Sequence, residues 1–172
     1  MKTEIMVDIE SLSSEPDGAI IAIGLVQFNQ EEILDEYEIL IDPQLAIGHR
    51  STSTLEWWNR QDPKVYEKMM SGELTPWDAC EEMVEIIAEW GSKIMWANAP
   101  TFDISMLRLL FKICDVRFPI KFNKEMDFRT LKNLTSIDYS AAYGKRKAHD
   151  AVDDAKAQAR AVQIIRKELL CL

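Results

Sequence analysis

A chain of 172 residues with 47% apolar and 28% charged side chains can bury a proper core and reads as one globular domain, residues 1–172. Its longest apolar stretch, around "AIIAIGLV", is too short to span a bilayer, and "MKTEIMVDIES" puts acids where an export signal needs an apolar run; the expectation is a cytoplasmic protein with no membrane partner. The net charge of −9 argues against a polyanionic partner, unless several carboxylates exist to hold divalent cations.

In chain order, "EIMVDI" (4–9) reads as a short buried strand. "AIIAIGLVQF" (19–28) and "ILDEYEILI" (33–41) read as two more, joined by the short polar "NQEE" of a hairpin. After the loop "DPQLAIGHRSTS", in which His49 is assigned no role, helical patterns cover 53–60, 63–70 and 76–90. The last of these opens on Thr75 followed by Pro76 and acids, a helix-start signal. "KIMWAN" (93–98) reads as a fourth strand, 103–114 as a helix and 127–135 as a short helix. A basic loop at 143–147 precedes the helix 150–170. This order predicts a mixed α/β domain with an antiparallel meander and at least one crossover. Cys80, Cys114 and Cys171 are odd in number and widely spaced, which suits reduced thiols and neither a disulfide framework nor a zinc site.

Four places carry acids of interest. Asp8 and Glu10 are two apart on a strand and point to one face. Either they face solvent while Val7 and Ile9 fill the core, or a cation offsets their repulsion. Asp103 opens a helix beyond a strand's carboxyl end, where an acid is commonly an N-cap but where α/β sheets also build sites. In "HDAVDDA" (149–155), taking Asp150 as zero and advancing about 100° per residue, Ala151, Ala155, Val162, Ile165 and Leu169 fall between roughly 60° and 140°. Lys156, Arg160 and Lys167 gather near roughly 240–280°. Asp153 lies near roughly 300°, opposite the apolar stripe, and Asp154 near roughly 40°, on its border. Asp154 is therefore the acid that leans inward, where a bare carboxylate needs a partner. His149 precedes the helix; taken alone it reads as structural.

Together, "DIE" (8–10), "NAPTFD" (98–103) and "HDAVDDA" (149–155) resemble the DEDDh branch of the DnaQ-like 3'-5' exonucleases. "STSTLEWWNRQDP" (51–63) is similar to the subgroup of phage exonuclease A, exonuclease VIII and the small RNase T-like exoribonucleases. The resemblance implies an RNase H-like fold: a mixed sheet, with an antiparallel three-strand meander plus parallel strands, flanked by helices. It implies that Asp8, Glu10, Asp103 and Asp154 hold two Mg2+ or Mn2+ ions and that His149 is the general base. Asp150 and Asp153 have no such role in the pattern. Hard oxygen ligands suit these cations, and two of them about 3.5–4 Å apart activate water and stabilise a departing 3'-oxygen. The implied partners are 3' ends of single-stranded DNA or RNA, with the homodimer that relatives of this fold often form. The competing reading is an inactive nucleic-acid adaptor on the same fold. For the substrate, one of Trp57 and Trp58 is expected to be exposed, with Trp57 preferred, and could stack on a base. Asn98 and Arg129 are candidate backbone contacts, and Lys145, Arg146 and Lys147 would steer phosphate.

Overall fold

The structure, a computed structural model, describes residues 2–144 and 148–170, with the backbone alone at Leu170. Three long strands, β1 (Glu4–Ser11), β2 (Ile20–Phe28) and β3 (Ile33–Leu40), form the antiparallel meander. Two short strands, β4 (Met95–Ala97) and β5 (Glu125–Asp127), extend it in parallel from β1, giving the order β3-β2-β1-β4-β5. The helices are α1 (Thr52–Trp58), α2 (Pro63–Met69), α3 (Pro76–Trp90), α4 (Asp103–Ile113), α5 (Phe128–Asn133) and α6 (Ala151–Leu170). None among the described residues is long and apolar enough to cross a membrane.

Strand alternation sorts the core into two layers. Ile5, Val7 and Ile9 face α3 and α4, packing with Met83, Ile87, Ile104, Leu107 and Phe111. Met6, Val26, Phe28 and Trp96 face α6 and pack with Ala155, Ala159, Val162 and Ile165. Asp8 and Glu10 share the parity of Met6, so they point toward α6. The meander and the helix periods are as read from the sequence. The short helix read over 127–135 is Phe128–Asn133, capped by Asp127, which also ends a fifth strand, Glu125–Asp127, that the sequence reading did not include. Arg108 of α4 holds that strand through Glu125 and the Ile120 carbonyl.

One glycine sets the distance between sheet and helix. Gly24 on β2 pairs with Asp8, and a Cβ there would lie 2.2 Å from the carbonyl carbon of Ala151. Only a residue without a side chain lets the first turn of α6 press onto the sheet beside Asp8. Cys80 and Cys114 are buried free thiols; Cys171 lies outside the described residues.

Candidate active site

Asp8 and Glu10 lie where β1 runs past the end of β4, whose last residue Ala97 pairs with Val7. The loop 98–102 turns from β4 into α4 and delivers Asp103. The start of α6 brings His149 and Asp154 from the opposite side. These five residues line one cleft of about 320 Å³ together with Asn98, Phe102, Arg129 and Gln158. Within it, one ligand atom each of Glu10, His149 and Asp154 lies within 4.8 Å of the others.

The local hydrogen bonds explain why these acids do not simply cap helices. Asp103 is 3% exposed, and its Oδ2 accepts the Ala99 amide at 3.0 Å, closing the loop that leads into α4. The cap role at α6 falls to Asp150: its Oδ1 accepts the Asp153 amide at 3.3 Å and its Oδ2 the Lys68 ammonium at 2.7 Å. Asp154, 6% exposed, is thereby released for the cleft, while its Oδ2 accepts the His149 amide at 2.9 Å. His149 adopts φ 66°, a left-handed conformation that histidine enters more readily than most residues. Its ring meets Trp57 edge to face, with centroids 4.6 Å apart.

Carboxylates crowded into one cleft resist ionisation. Burial first, then the charges of Asp154 and Asp103, push Glu10 up to about 8. Burial also lifts Asp103 to about 6, against hydrogen bonds from the backbone at Ala99, Asp103 and Ile9 and the charge of Arg129. Asp8 is raised by burial and by Asp103 and Glu10, with the Gln158 amide opposing. The folded protein therefore keeps protons that the unfolded chain has already lost. Stability of the metal-free protein should fall as pH rises from the ordinary carboxylate range toward about 8, where Glu10 finally ionises. A divalent cation competes for those protons, so Mn2+ should raise Tm more at pH 8 than at pH 5.5, as thermal scans at the two values will read. An acidic set of oxygens with one imidazole fits Mg2+ or Mn2+.

The aromatic pair divides cleanly. Trp58, a candidate base-stacking residue, is 1% exposed, with its indole N–H donated to the Ser11 carbonyl at 3.0 Å, so it belongs to the core and has no free ring face to offer. Trp57 is 37% exposed. Asn98 lines the cleft, with its backbone carbonyl accepting the Arg129 amide at 3.1 Å. Lys145, Arg146 and Lys147 lie outside the described residues. His49 has a structural place: its Nδ1 meets Ser13 Oγ at 2.8 Å, and its backbone pairs with Asp17 and Ala19.

Two residues, one beside the cleft and one lining it, escaped the sequence reading. Lys132 donates to Asn98 Oδ1 at 2.9 Å and is held below its usual range by burial and by the charge of Arg129. Gln158 donates to Asp8 Oδ1 at 2.7 Å. Its signal was present: it sits near roughly 80° on the wheel of α6, a polar residue in the middle of the apolar stripe.

The model of a family described as the 3'-5' exoribonuclease Rv2179c-like domain matches residues 3–166. A DNA polymerase III of the PolC type from Clostridium perfringens is 24% identical over 176 residues, covering 96% of this chain. The chain spans only 11% of that polymerase. Among solved structures, exonuclease I of Methylocaldum szegediense superposes with a TM-score of 0.70 at 12% identity, over 97% of this chain and 41% of that one. E. coli exonuclease I, solved with a dT13 oligonucleotide, gives 0.71 at 10% identity, over 99% of this chain and 43% of that one. At these identities the structural likeness speaks for the fold.

Proposed function

Because this chain belongs to the Rv2179c-like 3'-5' exoribonuclease domain family, an RNase H-like fold of the DEDDh exonuclease type, we propose that this 3'-5' exonuclease shortens single-stranded RNA in preference to DNA, with His149 as general base. The observation that carries this reading is the meeting in one cleft of Asp8, Glu10, Asp103, Asp154 and His149. The four carboxylates would hold two divalent cations, Mg2+ or Mn2+, which when bound supply Lewis-acid activation of water and neutralise charge at the departing 3'-oxygen.

The protein's own groups do the rest. The imidazole of His149 takes a proton from water as the water oxygen bonds to phosphorus and the bond to the 3'-oxygen breaks. The products are a nucleoside 5'-monophosphate and a chain shortened by one residue. Trp57, edge-on to His149, limits how far that ring can swing. Beside the cleft, and sharing Ile9, Glu10 and Phe102 with it, lies a cavity of about 320 Å³ lined by Ser11, Ser13, Ser14, Ser53, Thr54 and Trp57. Its size is at the lower end for a small-molecule pocket. An aromatic ring for a base and hydroxyls for a ribose suit the terminal nucleotide, and the 2'-OH is the group that separates RNA from DNA. On the other side, Arg129 and Asn98 would contact the phosphate backbone, with Lys132 behind them. A cytoplasmic setting agrees with the free thiols of Cys80 and Cys114.

The test is digestion of 5'-labelled single-stranded RNA and DNA of one sequence, with Mg2+ and with Mn2+. The expected result is a ladder shortening stepwise from the 3' end, faster for RNA, with KM raised by Trp57→Ala. Equal rates on both sugars would remove the ribose preference. Intact substrate under every condition would make the chain a nucleic-acid adaptor instead.

A further inference from the structure

The amide of Gln158 is satisfied at one end only. Gln158 sits one helical turn beyond Asp154 and is 6% exposed. Its Nε2 donates to Asp8 Oδ1 at 2.7 Å, while its Oε1 is buried without a hydrogen-bond partner. A buried carbonyl left unpaired is a net loss to folding. It stands in a stripe that is otherwise apolar, among Ala155, Ala159, Val162 and Ile165. A leucine or methionine would fill the same volume and remove that loss. Reversing the amide would set Oε1 against a carboxylate oxygen whenever Asp8 is ionised, the state that a cation requires. The orientation follows from the partner: an ionised Asp8 needs a donor.

The carboxylate that Gln158 holds is the one most in need of orientation. Asp8 is half-buried beside Glu10, Asp103 and Asp154, all of which repel it when ionised. A carboxylate left to minimise that repulsion rotates away from its neighbours, and so away from the place where a shared cation would sit. The bond to Oδ1 pins the group and leaves Oδ2 unclaimed by Gln158. We propose that Gln158 is a positioning residue that holds Asp8 in its cation-binding orientation, at a cost to the stability of the metal-free protein. The proposal rests on the reading that Asp8 binds a divalent cation. Partners that orient a ligand in this way typically govern metal affinity by about 10–100-fold.

A purely structural side chain and a positioning one differ in the sign of their effects. In Gln158→Leu and Gln158→Met, the metal-free Tm should stay level or rise, by about 2–4 °C. In the same proteins the dissociation constant for Mn2+, titrated at pH 8 and read from the free-ion EPR signal, should weaken by about 10–100-fold. The two substitutions differ in shape, so a packing fault peculiar to one is exposed by the other. Mn2+ affinity within threefold of the parent in both variants overturns the proposal, whichever way Tm moves. A lowered metal-free Tm in both overturns it too, because Gln158 would then be holding the fold rather than the ligand. A parent protein that binds no Mn2+ sinks the metal reading itself, and this inference with it; a parent that binds while the variants bind equally well sinks this inference alone.

Discussion

Asp154→Asn is expected to abolish turnover, and Asp153→Asn, one residue earlier, to leave it nearly unchanged. The two positions are about 100° apart on α6, and that angle decides their surroundings. Asp154 is 6% exposed and lines the cleft with the other carboxylates. Asp153 lines a separate groove of about 440 Å³ with Lys156 and Arg160 on the outer side of the helix. Asparagine keeps the volume of aspartate and an oxygen able to accept the His149 amide, so the substitution at 154 removes charge and little else. Lost stabilisation of a transition state by several kcal/mol amounts to about 10²–10⁴-fold in rate. Single-turnover rates of the two variants against the parent check this. Equal losses at both positions would show that the helix angle does not select the ligand.

For His149→Ala the expected result is a fall in kcat of about 10²–10⁴-fold with Mn2+ affinity kept. Affinity is the informative measurement, because one ring nitrogen of His149 lies within 4.8 Å of ligand atoms of Glu10 and Asp154. A base withdrawn leaves the cation in place; a ligand withdrawn releases it. If kcat and affinity fall together, His149 belongs to the metal and not to the water. The backbone supplies the control. With φ at 66°, alanine at this position adds left-handed strain that asparagine tolerates better. His149→Asn removes the imidazole without that strain, and its amide still reaches Asp154. The alanine and asparagine variants should therefore lose the same rate, and any excess loss in alanine measures the turn rather than the ring.

The larger elements were legible because their periods are long enough to read. The apolar stripe of α6 repeats several times and packs on the sheet as read, and the strand read over 33–41 forms as Ile33–Leu40. A three-residue strand such as Glu125–Asp127 offers no period at all; its pairing with β4 is a tertiary fact, anchored by Arg108 from another helix. Side-chain fates were readable only where one element decided them. The wheel separated Asp153 from Asp154, because the angle around α6 decides which of the two turns toward the sheet. Which tryptophan of the pair is buried depends on the Ser11 carbonyl 47 residues away, so periodicity in 51–63 leaves the two nearly equivalent. Asp103 looked like a helix cap; its hydrogen bond to Ala99, which turns it back toward the loop, has no sequence signature. Gln158 was visible as a polar residue at an apolar angle, but only Asp8, 150 residues earlier, gives it a purpose.

The close seating of α6 against Gly24 has a consequence for the order in which the protein is made. A chain leaving the ribosome presents Asp8 and Glu10 long before Asp154 has been synthesised. Two carboxylates on a lone strand are only half of the acidic set that the cleft brings together. The cleft is complete only when α6 lands on the sheet, so the packing of that helix and the assembly of the candidate site are one event.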